Sequence, residues 1–306
     1  MTFCCYFEAP ILPATDLSLS QFLVFQSKTC SPASLQGYTA GIRSFHLDNG
    51  FPWIHVSARP IVHRTMMGLK RLFGQPTTPK MAISTEHLLA MRKFLDFSKK
   101  NDAHFWAACC TAFFGCFRKD NITTEKSGSF NASANLCRGD LLPEGGFARS
   151  LSSTWWVRVR HSKTNQTHFR VNLVPLIAQP GSPLCPVASL VVAFACNPNA
   201  APQSPAFCSF DAGGNASPLT HGTFVRRLKE LISLIGLDPT KFSGHSFRRG
   251  AATLAFSLTG SHELIMSLGD WRSNSYLGYR QVSDQSRCVL PRLMVASATI
   301  TVSRAV

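Results

Sequence analysis

Apolar residues recur along this chain first at helical spacing, then at alternate positions, then at helical spacing again. In SPASLQGYTAGIRSFHLDNG (31–50), Leu35, Tyr38, Ile42 and Phe45 form one stripe behind a serine cap, and Asn49-Gly50 stops the run. A second helix is predicted in ARPIVHRTMMGLKRLFGQP, ended by Gly74 and Pro76. The segment GQPTTPK (74–80) has linker composition, which places a boundary after residue 77. The front unit, 1–77, is therefore a small set of helices joined by short turns, and its abrupt opening at MTFCCYF suggests a shortened one.

Beyond the linker, STEHLLAMRKFLDFSKK begins with a capping pattern, Ser84 with Glu86 and His87 behind it, and carries an apolar stripe. An apolar helix over 104–117 follows and ends at FRKDN. Residues 125–154 are rich in Gly, Ser and Asn with little periodicity, the composition of a long loop. The period then changes to two. In WWVRVRHSKTNQTHFRVNLVPL, Val157 and Val159, then Phe169, Val171 and Leu173, alternate with Arg158, Arg160 and Arg170, predicting a hairpin with SKTNQT at its tip. An apolar helix over 186–196, a loop over 197–218 and an amphipathic helix in THGTFVRRLKELISLIG, stopped by Gly236, complete the pattern. The predicted fold class is mainly α with a small β-sheet, in two domains, 1–77 and 78–306.

Charge adds a partner to this picture. With 31 Lys+Arg against 16 Asp+Glu, the formal charge is +15 at neutral pH, a field suited to a polyanion such as double-stranded DNA. No amphipathic basic helix with an exposed aromatic face argues for a membrane surface, and the apolar run FWAACCTAFFGCF is too short to span a bilayer. The eleven cysteines lack paired metal-type spacing and suit a reduced intracellular compartment. No secretory leader opens the sequence, and no Lys/Arg block makes a strong nuclear signal.

The chemistry-bearing residues are spread out. In SGHSFRRGAATLAF (243–256), His245 and Arg248 fall one turn apart on one helix face, where free backbone N–H groups at the helix start could cradle a phosphate. Arg118 ends the long apolar run, where a charge needs a partner or ligand. Lys163 sits at the hairpin tip, and LGDWRSNSYLGYRQ (268–281) holds Trp271, Tyr276 and Tyr279. Each feature alone also fits an ordinary structural role. Exposed basic candidates for phosphate contacts are Arg226, Arg227 and Lys229 on the amphipathic helix and Arg43, Lys70 and Arg71 in the front unit. The acids Asp120, Asp140 and Glu144 show no spacing that would bind two metal ions.

Taken in order, Arg, hairpin Lys, His-x-x-Arg, Trp and Tyr in a basic chain with a helical unit in front resemble the tyrosine recombinase (phage integrase) family. FSGHSFRRGAAT and LGDWRSNSYLGYR are most similar to recombinases of eukaryotic DIRS-like and Crypton-like mobile elements. The resemblance implies a helical core-binding (SAM-like) domain over 1–77, followed by a catalytic domain over 78–306. It assigns catalytic roles to Arg118, Lys163, His245, Arg248 and Trp271, with Tyr279 as nucleophile and Tyr276 as its competitor one helical turn earlier. It further implies DNA integration and recombination through a 3′-phosphotyrosyl intermediate, with no metal or other cofactor, by a homotetramer on DNA. Localisation would be nuclear for a eukaryotic element and otherwise cytoplasmic or nucleoid. Two alternatives stay open: a DNA-binding derivative that has lost catalysis, and a type IB topoisomerase-like activity. The sequence also departs from the family, with Asn121 where many members carry an acid three residues after the first arginine, and a step of eight rather than nine from Trp271 to Tyr279.

Overall fold

The computed structural model describes residues 2–74, 79–144, 154–160, 172–259 and 261–269. The chain falls into two compact units, divided between Thr78 and Pro79.

In the first unit, α1 (Thr2–Tyr6), α2 (Asp16–Gln26), α3 (Pro32–Asp48) and α4 (Pro60–Phe73) follow one another. Their ends are set by local chemistry. The Ser31 hydroxyl accepts from the Ser34 N–H, Pro32 opens α3, and the chain leaves it through Asn49 and Gly50, the latter at φ +77°, which glycine adopts without steric cost. Leu19, Leu23, Leu35, Val62 and Leu69 make the core. Of the predicted α3 stripe, Leu35 is buried, but Tyr38 and Phe45 are 44% and 40% exposed. The reason is that α2 packs chiefly on α4, leaving an open apolar cleft of about 890 Å³ lined by Phe22, Phe25, Tyr38 and Phe45.

The second unit runs α5 (Thr85–Arg92), α6 (Lys100–Phe114), α7 (Lys119–Ile122), β1 (Leu141–Pro143), β2 (Trp155–Val159), β3 (Asn172–Leu176), α8 (Pro186–Ala195), β4 (Cys208–Phe210), β5 (Ala216–Pro218), α9 (His221–Leu234), α10 (His245–Thr259) and α11 (His262–Gly269). Helix α6 is apolar all round and is buried continuously from Asp102 to Phe113, with α8 and α10 packed on it. Burial pushes the Cys110 thiol up to about 12, so it behaves as a small apolar side chain. The stripe predicted from 84 onward is interrupted at 93–99. There the Asp96 carboxylate accepts from the Ser98 N–H and hydroxyl, and Asp102 accepts from the Asp96 N–H, bonds that compete with helix.

The main sheet has the order β1-β2-β3, antiparallel throughout. Strand β1 lies inside the predicted loop 125–154, and the β4–β5 hairpin inside the predicted loop 197–218. The predicted facing of the second strand is corrected. Val157 pairs with Val174 and Trp155 with Leu176, so Val174 and Leu176 are buried while Leu173, opposite Arg158, is 46% exposed. The predicted partners Phe169, Val171 and Arg170 lie outside the described residues.

Close backbone contact seats α10. The Met81 and Ile83 N–H groups donate to the Lys241 and Ser246 carbonyls at 2.7 and 3.0 Å. A Cβ at Gly250 would stand 1.8 Å from the Ile83 carbonyl oxygen, so only glycine allows this approach. Among the described residues no helix is long and apolar enough to cross a membrane.

Candidate active site

The end of α6 sets the site. After Gly115, Cys116 takes a left-handed conformation (φ +52°) and turns the chain, so that Arg118 precedes α7 with its N–H donating to Asn121 Oδ1 at 3.1 Å. Arg248 approaches from α10. It is 2% exposed, and its guanidinium donates from Nη1 to the Cys116 carbonyl at 2.5 Å and from Nη2 to the Gly269 carbonyl at 2.6 Å. These charge-assisted bonds fix α10 to the turn carrying Arg118 and to the end of α11.

Arg118 and Arg248, 130 positions apart in the chain, line one narrow cleft with Cys116, Asn121, Val159 and Asn172. Its free volume is about 20 Å³, room for a single water, so any phosphate would rest at its mouth. His245 stands one turn before Arg248 and is exposed. Partial desolvation of the ring holds its imidazole below the ordinary value; the Asp120 charge opposes this, and those of Lys119, Arg118 and Arg248 add to it. The ring is therefore neutral near pH 7, with one N–H to donate and one lone pair to accept.

Lys119 and His221, which no sequence motif singles out, join this group together with Asp120. Lys119 Nζ donates to Asp120 Oδ1 at 2.5 Å and to His221 Nδ1 at 3.2 Å, and His221 Nε2 faces Asp120 Oδ1 at 3.4 Å. Lysine only donates, so Nδ1 of His221 accepts and Nε2 carries the proton. Desolvation, then the Lys119 charge, holds the His221 imidazole low. Burial acts to raise the Asp120 carboxyl, but the Lys119 hydrogen bond and charge, with the two histidines, outweigh it and leave the carboxyl below its ordinary value. Backbone bonds clamp the two segments: His221 N–H to the Thr124 carbonyl at 2.7 Å and Thr124 N–H to the Leu219 carbonyl at 3.0 Å. The only sequence signal is the Arg-Lys-Asp-Asn run itself, which reads as the end of a helix.

The basic candidates on α9 divide. Arg226 and Lys229 are exposed, whereas Arg227 is half-buried and donates to Asp102 at 2.9 Å and Glu230 at 3.3 Å. In the first unit, Arg43 on α3 and Lys70 and Arg71 on α4 are exposed. Lys163, Trp271, Tyr279 and Tyr276 lie outside the described residues. Asp140, fully buried, accepts from Arg160 Nε at 2.8 Å and from the Cys137 N–H at 3.0 Å.

No family model and no curated protein matches the chain. Solved structures do match. The XerH site-specific recombinase, in a post-cleavage complex with a palindromic difH substrate, superposes with a TM-score of 0.54 at 16% identity, over 93% of this chain and 70% of that one. The Tn1549 transposon integrase in complex with transposon right end DNA gives 0.56 at 12% identity, over 94% and 87%. The same integrase with circular intermediate DNA gives 0.54 at 11%, over 91% and 85%. This chain has the tyrosine recombinase fold. At such identities the likeness is one of architecture, and it bears out the predicted fold class, mainly helical with small sheets. Within that recombinase fold, the packing of α10 on α6 is what brings Arg118 and Arg248 to one cleft.

Proposed function

We propose that the chain is a DNA breaking and rejoining enzyme, a site-specific recombinase or integrase working through a tyrosine. The observation that carries this reading is that Arg118 and Arg248 line one cleft with His245 within reach of both charges. The formal charge of +15 supports a DNA partner, as do the DNA complexes named for the proteins of like fold.

In this reading the Tyr279 phenol attacks the scissile phosphate, giving up its proton to solvent as it does so. The bond from phosphorus to the phenolic oxygen forms as the bond to the 5′-oxygen breaks, leaving a 3′-phosphotyrosyl link and a free 5′-hydroxyl. One phosphate ester replaces another, so the energy of the broken bond is kept and no nucleotide cofactor is consumed. Negative charge grows on the non-bridging oxygens. Arg118 and Arg248, always protonated, hold it, with the His245 N–H and Trp271 Nε1 as further donors. Lys163 gives the leaving 5′-oxygen its proton. Attack by a 5′-hydroxyl from a second strand reverses the step and rejoins DNA. The helical front domain, 1–77, and the catalytic domain, 78–306, would grip the duplex through Arg43, Lys70, Arg71, Arg226 and Lys229, with Arg227 giving less because Asp102 and Glu230 already hold it. The motif similarity supports an origin in a DIRS-like or Crypton-like element, a homotetramer on DNA and nuclear action.

The test is covalent trapping. The purified chain is incubated in EDTA with a nicked duplex carrying terminal repeats of its element, beside Tyr279→Phe and Tyr276→Phe. A denaturation-resistant adduct lost only with Tyr279→Phe supports the reading, and recombination between two sites separates it from a topoisomerase. DNA binding with no adduct on any repeat sequence would leave a DNA-binding derivative without catalysis.

A further inference from the structure

We propose that Lys119 is an additional cation of the phosphate site, contacting a phosphate of the bound strand beside Arg118, with Asp120 and His221 as its positioning residues. This rests on the breaking and rejoining reading above.

An exposed lysine usually samples many rotamers, and about 2 kcal/mol of rotamer entropy resists fixing it. Lys119 is fixed at both ends. Its stem lies along Gly244, the residue before His245: a Cβ there would meet Lys119 Cβ at 2.7 Å, Cδ at 2.8 Å and Cγ at 3.1 Å. Its ammonium is held by the Asp120 carboxylate and by His221, whose side chain is 102 residues distant in sequence and clamped through Thr124. A glycine, a carboxylate and a histidine from three segments thus aim one ammonium.

Lys119 lies beside the site. Lys119 follows Arg118 directly, its stem touches the turn that opens α10, and its side chain keeps 26% exposure, enough for a ligand to reach. Its charge adds to those of Arg118 and Arg248 in holding the His245 imidazole low. An ammonium has three N–H donors. Asp120 and His221 take two, and a phosphate oxygen would take the third. A bracing role alone would not need a charged head: a shorter, neutral side chain could bond Asp120.

The experiment uses the full chain and a plain DNA duplex, with affinity measured over a range of salt for the parent, Lys119→Met, Lys119→Arg and the double variant Asp120→Asn/His221→Gln. Methionine keeps an unbranched stem against Gly244 and removes the charge. The slope of log affinity on log salt should become shallower by about one in Lys119→Met and return in Lys119→Arg. The double variant, which keeps the ammonium, should keep the parent slope. Adduct formation on the nicked duplex should slow about tenfold or more in Lys119→Met, and less in the double variant. A parent-like slope in Lys119→Met overturns the proposal. If the parent binds DNA but forms no adduct, the breaking and rejoining reading fails while the salt slopes still decide Lys119; if the parent does not bind DNA, both fall.

Discussion

Adding one methyl group at Gly250 tests how α10, and with it His245 and Arg248, is held. In Gly250→Ala the new Cβ would lie 1.8 Å from the Ile83 carbonyl oxygen, 2.9 Å from the Ile83 carbonyl carbon and 3.0 Å from Phe113 Cε2. Ordinary contact begins near 3.5 Å, so α10 and residues 81–83 would have to part by roughly 1.5 Å. Such overpacking costs about 1–3 kcal/mol. Parting also breaks the bond from the Ile83 N–H to the Ser246 carbonyl, a further loss of about 1 kcal/mol. Alanine's better helix propensity returns about 1 kcal/mol, so the net effect is a loss of about 1–3 kcal/mol. At about 2–4 °C per kcal/mol for a domain of this size, Tm falls by roughly 5 °C. Gly222→Ala on α9 is the matched control in the same unit. Its Cβ would meet only Thr220 Oγ1, at 4.0 Å, and its stability should hold or rise slightly. Calorimetry of both variants decides the matter. A Tm for Gly250→Ala equal to or above the parent's would refute the close approach of α10 to Ile83.

His104 gives the fold a dependence on pH. Burial, opposed by the nearby Ala193 carbonyl and aided by the Arg138 charge, lowers its pKa to about 4, and the Cys208 N–H donates to its Nδ1 at 3.2 Å. The unfolded chain takes up this proton near pH 6.5, so the stabilisation is whole above that value and declines by about 3 kcal/mol as pH falls toward 4. Urea midpoints across this range should show that slope in the parent and a flatter one in His104→Gln; equal slopes would refute it. On α9, Arg226→Ala and Lys229→Ala should each reduce the salt slope of DNA binding by about one. Arg227→Ala should change that slope less and instead cost stability, because it strands Asp102, whose side chain is only 12% exposed. Salt titrations and melting curves of the three variants separate the two roles, and an Arg227→Ala that lowers the slope as far as Arg226→Ala would contradict this division.

Helices were legible where one signal dominated. Continuous apolarity marked α6, Gly236 marked the end of α9, and Ser31 and Asn49 marked the ends of α3. The strands β1, β4 and β5 were not, since three residues are too few for an alternating pattern to emerge. The facing of β3 was misjudged because NLVPL is apolar at both even and odd positions, and only pairing with β2 selects Val174 and Leu176. In the site, Arg118, His245 and Arg248 were legible as residue types in order along the chain, but their convergence depends on α10 packing against α6. Lys119 and His221 could not be paired from sequence: nothing local in FRKDN or LTHGT points to a contact 102 residues away.

In the reaction proposed above, Tyr279 becomes covalently joined to DNA. That link is tested most directly by digesting the trapped adduct and locating the nucleotide-bearing peptide by mass spectrometry, while end-labelling shows which DNA end is free. The expected result is the label on Tyr279, through a 3′-phosphate, with a 5′-hydroxyl on the other strand end. A nucleotide on Tyr276 or any other residue, or a 5′-phosphate linkage, would contradict it.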